Sequence, residues 1–396
     1  MITWSSDVPL EELRAYQLKC INEQVFRLFR CSRRYRSLCG GTIETLDSFS
    51  DFENLPFLSS DDIISAGTDM VCVPQREIRR IVSLKTSGTE NVKRIYFTFG
   101  DIERNISFFD EGMRPLCTAG DTVMIFMPGA APDGISGQLS EGLSRFGAIP
   151  VRYGLISDYG EAALRCSQLK PNTIVGLPVP VRRLALTAPE IRPRNVLLSA
   201  DYVSPSVADT VSRVWGCEVY LHYGLTESCY GFAVECPYHS GMHIRNDEFY
   251  VEIIDPSSGL PLPCGEEGII TFTTLRREAM PLVRYRTGDV GYLTEEPCGC
   301  GSKLPRLARV SGREKTLSRR PNINEIDDIL FALDDVLDYR ASYGSGVLSL
   351  ELLLRPGAEL CGPERVLQEK YEELTIQTEL WTGEQLPGKR ALEYRD

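Results

Sequence analysis

Between residues 121 and 222, short apolar runs alternate with segments patterned as helices. Asp121–Pro128, Ala148–Tyr153, Thr173–Gly176, Asn195–Ser199 and Cys217–His222 read as strands. Gly134–Phe146, Glu161–Gln168 and Pro205–Trp215, which lie between them, read as helices. A helix between two strands rules out a tight hairpin, so such strands pair in parallel and helices cover the sheet on both faces. The implied fold class is α/β and doubly wound, with ligands expected outside the carboxyl ends of the strands.

After Tyr230 the helical pattern stops. Glu248–Asp255, Gly268–Thr274, Leu282–Arg286 and Val290–Leu293 read as strands joined by Gly/Pro turns such as Pro256-Ser257-Ser258-Gly259, a β-rich subdomain over 231–311. A boundary falls near Ser311-Gly312-Arg313. Beyond it, Ile323–Leu333 and Arg365–Leu374 suit helices and Val347–Leu354 a strand, so a small α+β domain (313–396) follows a large one (1–312). Residues 10–38 read as one helix with an apolar stripe of Leu18, Ile21, Val25 and Leu28. The basic cluster at its end, Arg27, Arg30, Arg33, Arg34 and Arg36, reads as a solvated face near the negative helix terminus.

Acidic residues outnumber basic ones 55 to 43, a net charge of −12 that argues against a nucleic-acid binder. It leaves room for a local basic pocket that takes a small anion. No apolar run approaches the roughly 18–20 residues needed to span a bilayer. Met1-Ile2-Thr3-Trp4 leads into Asp7, Glu11 and Glu12, unlike a secretory signal. The 13 cysteines, an odd number, cannot all pair within one chain. The expectation is a reducing, cytoplasmic compartment where most thiols are small buried groups.

Five segments carry chemistry. Lys85-Thr86-Ser87-Gly88-Thr89-Glu90-Asn91-Val92-Lys93 sets hydroxyls around a glycine, which lets backbone and side-chain donors converge on phosphate oxygens. It lacks the Gly-Lys-Ser/Thr of a Walker loop. Leu221-His222-Tyr223-Gly224-Leu225-Thr226-Glu227 ends an apolar strand with a glycine, a hydroxyl and a carboxylate, which suits a nucleotide with Mg²⁺. Val283-Arg284-Tyr285-Arg286-Thr287-Gly288-Asp289 offers a carboxylate able to accept both hydroxyls of a ribose. Gly312-Arg313-Glu314-Lys315 stands at the domain boundary with an arginine suited to phosphate. Leu386-Pro387-Gly388-Lys389-Arg390 puts a lysine on a tight turn. Each segment alone also fits a polar turn.

In order and spacing, the five together resemble the adenylate-forming superfamily of acyl-CoA synthetases, most closely its phenylacetate–CoA ligase-like branch, over nearly the whole chain. Thr86-Ser87-Gly88-Thr89 looks like the first half of the branch's Ser-Ser-Gly-Thr-Thr-Gly-Lys-Pro loop. Tyr223-Gly224-Leu225-Thr226-Glu227 is similar to its Tyr-Gly-Leu-Ser/Thr-Glu, and Arg284-Tyr285-Arg286-Thr287-Gly288-Asp289 follows its Arg-Tyr-Arg-Thr-x-Asp. Phe249–Pro256 and Gly265–Leu275 also resemble the branch. The chain departs from the pattern in three places. Glu90-Asn91-Val92 replaces Thr-Gly-Lys, Ser199-Ala200-Asp201-Tyr202 replaces a Gly-Ala/Gly-Glu-Pro run, and Lys315 replaces a hinge aspartate. A carboxylate added beside a triphosphate repels it unless it faces away or meets Mg²⁺.

The resemblance implies that ATP activates a carboxylic acid, aryl or small acyl, to an acyl-AMP, and that coenzyme A then takes the acyl group. It further implies that Thr86, Ser87, Gly88 and Thr89 hold the triphosphate, and that Glu227, with Thr89, takes Mg²⁺ beside Thr226. Ser199, Ala200, Asp201, Tyr223 and Gly224 would frame the adenine, Asp289 the ribose, and Arg313 a ribose or phosphate oxygen. Lys389 would bridge carboxylate and α-phosphate, and Lys315 would mark the hinge of a mobile tail. An aromatic acid pocket is expected near Phe126–Gly137 and Ala200–Tyr230, with Met127, Tyr202, Tyr223 and Tyr230. A homodimer is the base-rate expectation. The rival functions are an adenylating enzyme with a non-CoA acceptor and a catalytically degenerate nucleotide binder. Cys236-Pro237-Tyr238-His239 and Cys298-Gly299-Cys300-Gly301 flank the β-rich subdomain as two chelating pairs, a Cys₃His set for structural zinc, with His243 as substitute if His239 faces away.

Overall fold

The computed structural model describes residues 8–85, 92–129, 131–381 and 391–395. Thr86, Ser87, Gly88, Thr89 and Lys389 lie outside the described residues. The chain forms two compact units, each built from two stretches: Met1–Pro115 with His222–Glu314, and Leu116–Leu221 with Lys315–Asp396.

In the first unit, the antiparallel strands run in the order Phe249–Ile254, Gly268–Thr274, Tyr285–Thr294, Arg306–Arg313, Met242–Ile244, Ala233–Glu235, and then His222 and Tyr223 beside Val234 and Ala233. Aromatic rings fill its core. Phe232 stacks on Phe249 with centroids 4.8 Å apart, and Phe272 meets Tyr285 at 5.5 Å. Ile78–Lys85 and Val92–Thr98 form a separate antiparallel hairpin, and Thr98 caps the helix Phe99–Met113 through a reciprocal bond with Asp101. The expected single helix over 10–38 breaks in two, Leu10–Cys31 and Arg33–Leu38. Ser32 makes the break: its hydroxyl oxygen accepts from the Tyr35 amide and donates to Asp69 at 2.6 Å. Within the basic cluster, Arg30 and Arg33 are exposed, while Arg36 donates to the Phe29 and Arg30 carbonyls and Arg34 pairs with Asp62 at 2.6 Å.

The second unit holds the expected parallel sheet, in the order Ile149–Arg152, Thr122–Phe126, Thr173–Gly176, Asn195–Ser199. The helix Pro205–Trp215 starts on a proline and stops at Gly216, whose φ of +66° terminates the turn. The tail contributes Ile323–Leu330, Cys361–Lys370 and a four-stranded sheet, Thr375–Leu380, Val347–Leu354, Val336–Gly344, Leu392–Tyr394. One apolar core runs through both stretches of this unit, from Met124 and Trp215 to Phe331 and Leu350.

Arg182 is the polar centre of that packing. It is fully buried on the helix Pro178–Thr187 and faces no carboxylate at salt-bridge distance among the described residues. Its guanidinium donates to the carbonyls of Phe331, Leu333 and Val336 at 3.0, 2.9 and 2.7 Å, and lies 4.9 Å from the Phe331 ring centroid. These carbonyls follow the C-terminus of Ile323–Leu330, where a cation is favoured and the last acceptors lack helical partners. Burial pulls the guanidinium down to about 10, which leaves it charged at neutral pH. Arg213–Asp334, at 2.6 Å, links the same stretches at the exposed surface. Removing donors from buried acceptors is costly, whereas exposed pairs contribute little. Arg182→Met is therefore expected to lower the unfolding free energy by about 3 kcal/mol and Arg213→Ala by under about 1 kcal/mol. Chemical denaturation of the two variants checks the ranking.

Candidate active site

The site is built on the strand Tyr285–Thr294, which bulges where two separate strands were expected. Ile269 faces Val290 while Thr271 faces Arg286, so Thr287, Gly288 and Asp289 stand opposite the single Ile270 and the two extra residues are absorbed in a bulge. Gly288 supplies the required positive φ, +76°. The Thr287 hydroxyl donates to the Ile270 carbonyl at 2.7 Å and accepts from the Asp289 amide at 2.9 Å. These bonds fix the backbone at Asp289, whose carboxylate is buried and whose ladder partner on the next strand is Arg313.

Two sequence-distant groups meet that carboxylate. The Tyr223 hydroxyl donates to Oδ2 at 2.7 Å, and Arg313 reaches Oδ1 at 3.0 Å. Tyr223 ends the strand Glu218–Tyr223, and only glycine fits at the next position. A Cβ on Gly224 would lie 1.6 Å from the Tyr230 carbonyl oxygen. The return loop is held with Cys229 and Tyr230 at φ +64° and +78°, a strained conformation of the kind that collects at ligand sites. Burial, then the Asp289 charge, pushes the Tyr223 phenol far above its usual range, so it stays a donor. His222, next in line, packs against Phe108 and Phe109, and burial holds it neutral at about 4. It is a core residue, not a base.

Glu227 lies in the same unit, nearly buried, on the short helical turn Thr226–Ser228. The Lys93 ammonium and the Tyr285 hydroxyl both donate to its Oε1, the latter at 2.8 Å. Arg277 donates to its backbone carbonyl at 3.1 Å. Burial works to raise the carboxyl, but the ammonium and the phenol outweigh it and hold the group below the usual carboxylate range. Tyr223 and Tyr285 hang from one aromatic stack, since Phe232 touches Tyr223 at 5.3 Å and Phe272 links Phe232 to Tyr285.

The structure thus brings together Tyr223, Gly224, Thr226, Glu227, Asp289 and Arg313 within one unit. Sequence reasoning assigned no role to Lys93, Tyr285 or Arg277, although the first two stand inside quoted motifs. Ser199, Ala200 and Asp201 belong to the other unit, at the carboxyl end of Asn195–Ser199, with Ala200 at φ +73°. Tyr202, expected to line an acid pocket, instead directs its hydroxyl to Asp328 at 3.2 Å. Lys315 is exposed on Glu314–Leu317.

Cys236, His243, Cys298 and Cys300 form one cluster whose ligand atoms all lie within 4.8 Å of one another. The sequence expectation named His239, with His243 as substitute if His239 faces away, and the cluster contains His243. The strand Met242–Ile244 pairs His243 with Arg306 and so turns it to Cys300, with Nε2 3.5 Å from Sγ, whereas His239 Nδ1 lies 3.4 Å from Glu235. The Cys236 and Cys298 sulfurs are 3.6 Å apart. Zn–S bonds of about 2.3 Å in a tetrahedron give S–S edges of about 3.8 Å, so the donor set fits zinc. Burial opposes ionisation of Cys298, yet donors from Cys300, Ser240 and Cys236 bring its thiol down to about 7, while Cys236 is pushed up.

No family model matches the chain. The phenylacetate–coenzyme A ligase of Thermus thermophilus is 28% identical over 358 residues, which cover 84% of this chain and 78% of that protein. The enzyme of the same name from Escherichia coli is 28% identical over 321 residues, 77% of this chain and 71% of that protein. Among solved structures, 2-hydroxyisobutyryl-CoA ligase with its acyl-AMP, in the postadenylation state, superposes with a TM-score of 0.85 at 19% identity, over 99% of this chain and 91% of that one. The chain is thus similar in sequence to phenylacetate–coenzyme A ligases and shares the fold of an acyl-CoA ligase.

Proposed function

We propose that the protein is an AMP-forming acid–CoA ligase. A substrate carboxylate oxygen attacks the α-phosphorus of MgATP and pyrophosphate leaves. The thiolate sulfur of coenzyme A then attacks the acyl carbon and AMP leaves. Both steps require positioning and charge stabilisation more than covalent help from the protein. The observation that carries the reading is the convergence on Asp289 of Tyr223 and Arg313, with Glu227 in the same unit. A buried carboxylate that already accepts a phenol and a guanidinium keeps lone pairs for two ribose hydroxyls. In this reading Thr86, Ser87, Gly88 and Thr89 hold the triphosphate, Glu227 takes Mg²⁺, and Ser199–Asp201 frame the adenine. Lys389 bridges carboxylate and α-phosphate, and Lys315 marks the hinge of a mobile domain, 313–396. An aryl or small acyl acid fits the branch.

Pyrophosphate release across aryl, short-chain and medium-chain acids tests the activity, with product mass in the presence of CoA identifying the acceptor. Release without a CoA thioester favours another acceptor, and no release with any acid favours a nucleotide binder. Asp289→Ala is expected to raise KM for ATP by about tenfold or more, and an unchanged ATP dependence refutes the ribose role. Lys389→Ala should abolish adenylation and spare thioester formation from supplied acyl-AMP. Equal loss in both half-reactions removes that assignment.

We further propose that Cys236, His243, Cys298 and Cys300 hold a structural Zn²⁺, a closed set with no position left for substrate. Metal analysis should find one zinc per chain in the wild type and in His239→Ala, and none in His243→Ala. Cys298→Ser should lower the melting temperature by about 5 °C or more while the folded fraction keeps its kcat. A metal-free wild type, or an unchanged melting curve, ends the proposal.

A further inference from the structure

Lys93 is four residues beyond Thr89 in sequence and second in the strand Val92–Thr98. Where the branch pattern puts the loop lysine this chain has Val92, and the lysine follows one position later. Successive side chains of a strand point to opposite faces, so that one-residue shift reverses the face on which the cation emerges. In the structure it meets Glu227. Lys93 and Glu227 are 12% and 7% exposed, so the pair is shielded from water. The Tyr285 phenol shares Oε1 and carries no charge, so Lys93 is the cation that balances this carboxylate.

We propose that Lys93 is a nucleotide-sensing guard on Glu227. Without nucleotide, its ammonium occupies the carboxylate. The phosphates of ATP draw it off, and Glu227 becomes available to Mg²⁺. The inference rests on the reading of Glu227 as the Mg²⁺ ligand. A divalent cation at Glu227 would face an ammonium on the same carboxylate, in a pocket where little water screens the repulsion, so the two exclude one another. A polyphosphate carries several charges against the single charge of Glu227 and wins the ammonium when it comes within reach. Lysine suits the exchange because its charge rides on a flexible four-carbon stem and makes no fixed bidentate grip. Linkage then makes the effect reciprocal: nucleotide tightens metal binding, and metal tightens nucleotide binding by the same factor.

The test uses Mn²⁺ as the metal probe and α,β-methylene-ATP as the nucleotide, with binding read by electron paramagnetic resonance and calorimetry on the full chain. The wild type should bind Mn²⁺ about tenfold or more tightly with the analogue than without. Lys93→Met should bind Mn²⁺ alone about tenfold more tightly than the wild type and the analogue about tenfold more weakly, so the coupling collapses. Lys93→Met with wild-type affinity for free Mn²⁺ and wild-type coupling overturns the proposal. Should Lys93→Met not fold, Lys93→Arg serves: its forked grip releases less readily, and analogue-dependent Mn²⁺ binding should fall about tenfold. Coupling equal to the wild type in that variant overturns the proposal as well. Glu227→Gln separates the two levels. If it leaves Mn²⁺ binding with the analogue unchanged, the metal-ligand reading itself fails. If it abolishes that binding while Lys93→Met keeps wild-type coupling, the guard alone fails.

Discussion

The carboxylate of Asp289 joins stretches that lie far apart in sequence, and the geometry of the site follows from how it is held. Tyr223 comes from the end of one strand, Arg313 from the end of another, and Asp289 from a bulge between them. A buried carboxylate without donors would be too costly to keep ionised. Tyr223 and Arg313 supply the compensation, and in doing so tie two strand ends to one carboxylate. The bulge matters as much as the bonds. It sets Thr287, Gly288 and Asp289 opposite the single Ile270, while Asp289 keeps its pairing with Arg313 on the other edge of the strand.

The neighbouring carboxylate, Glu227, is held by a different balance. Its Oε1 takes both an ammonium and a phenol, and the phenols of Tyr285 and Tyr223 are oriented by the same aromatic stack. The core of the β-rich region therefore sets the spacing of the two acids. Phe232, Phe249 and Phe272 leave little freedom for either tyrosine to move without repacking the others. Precision at the site is a property of the apolar packing beneath it.

Legibility in the sequence follows the range of the interactions. Thr173–Gly176, Asn195–Ser199 and Pro205–Trp215 were readable to the residue, because apolar runs, an N-terminal proline and a terminating glycine are local signals. The break at Ser32 was hidden because it depends on Asp69, a partner 37 positions away. Thr287-Gly288 looked like a turn between two strands, since only the pairing with Ile269 and Thr271 reveals a bulge. His239 fitted the spacing of a chelating pair. His243 was the named substitute, and its register with Arg306, which chain spacing alone could not choose, delivers it to the cysteines. Lys93 stood in a quoted motif without a role, because its partner is 134 positions away.

The net charge of −12 acquires a sharper meaning from where the arginines sit. Arg182, Arg245, Arg277, Arg284 and Arg306 are buried. Arg182, Arg245 and Arg306 donate to backbone carbonyls, and Arg284 adds a two-point contact with Glu252. These cations serve as cross-links of the fold and project little field to a distant anion. Nine carboxylates are buried beside these five arginines among the described residues, so burial leaves the surface no more acidic than the composition, and the chain as a whole stays acidic. Long-range steering of a polyanionic nucleotide is then weak or adverse beyond a Debye length of about 8 Å. In the proposed function, recognition comes from groups that act at contact distance, such as Arg313 beside Asp289 and Lys93 on Glu227. On that proposal, selectivity for a nucleotide rests on the geometry of a few paired charges. Each is already neutralised by a partner that the ligand must displace or share.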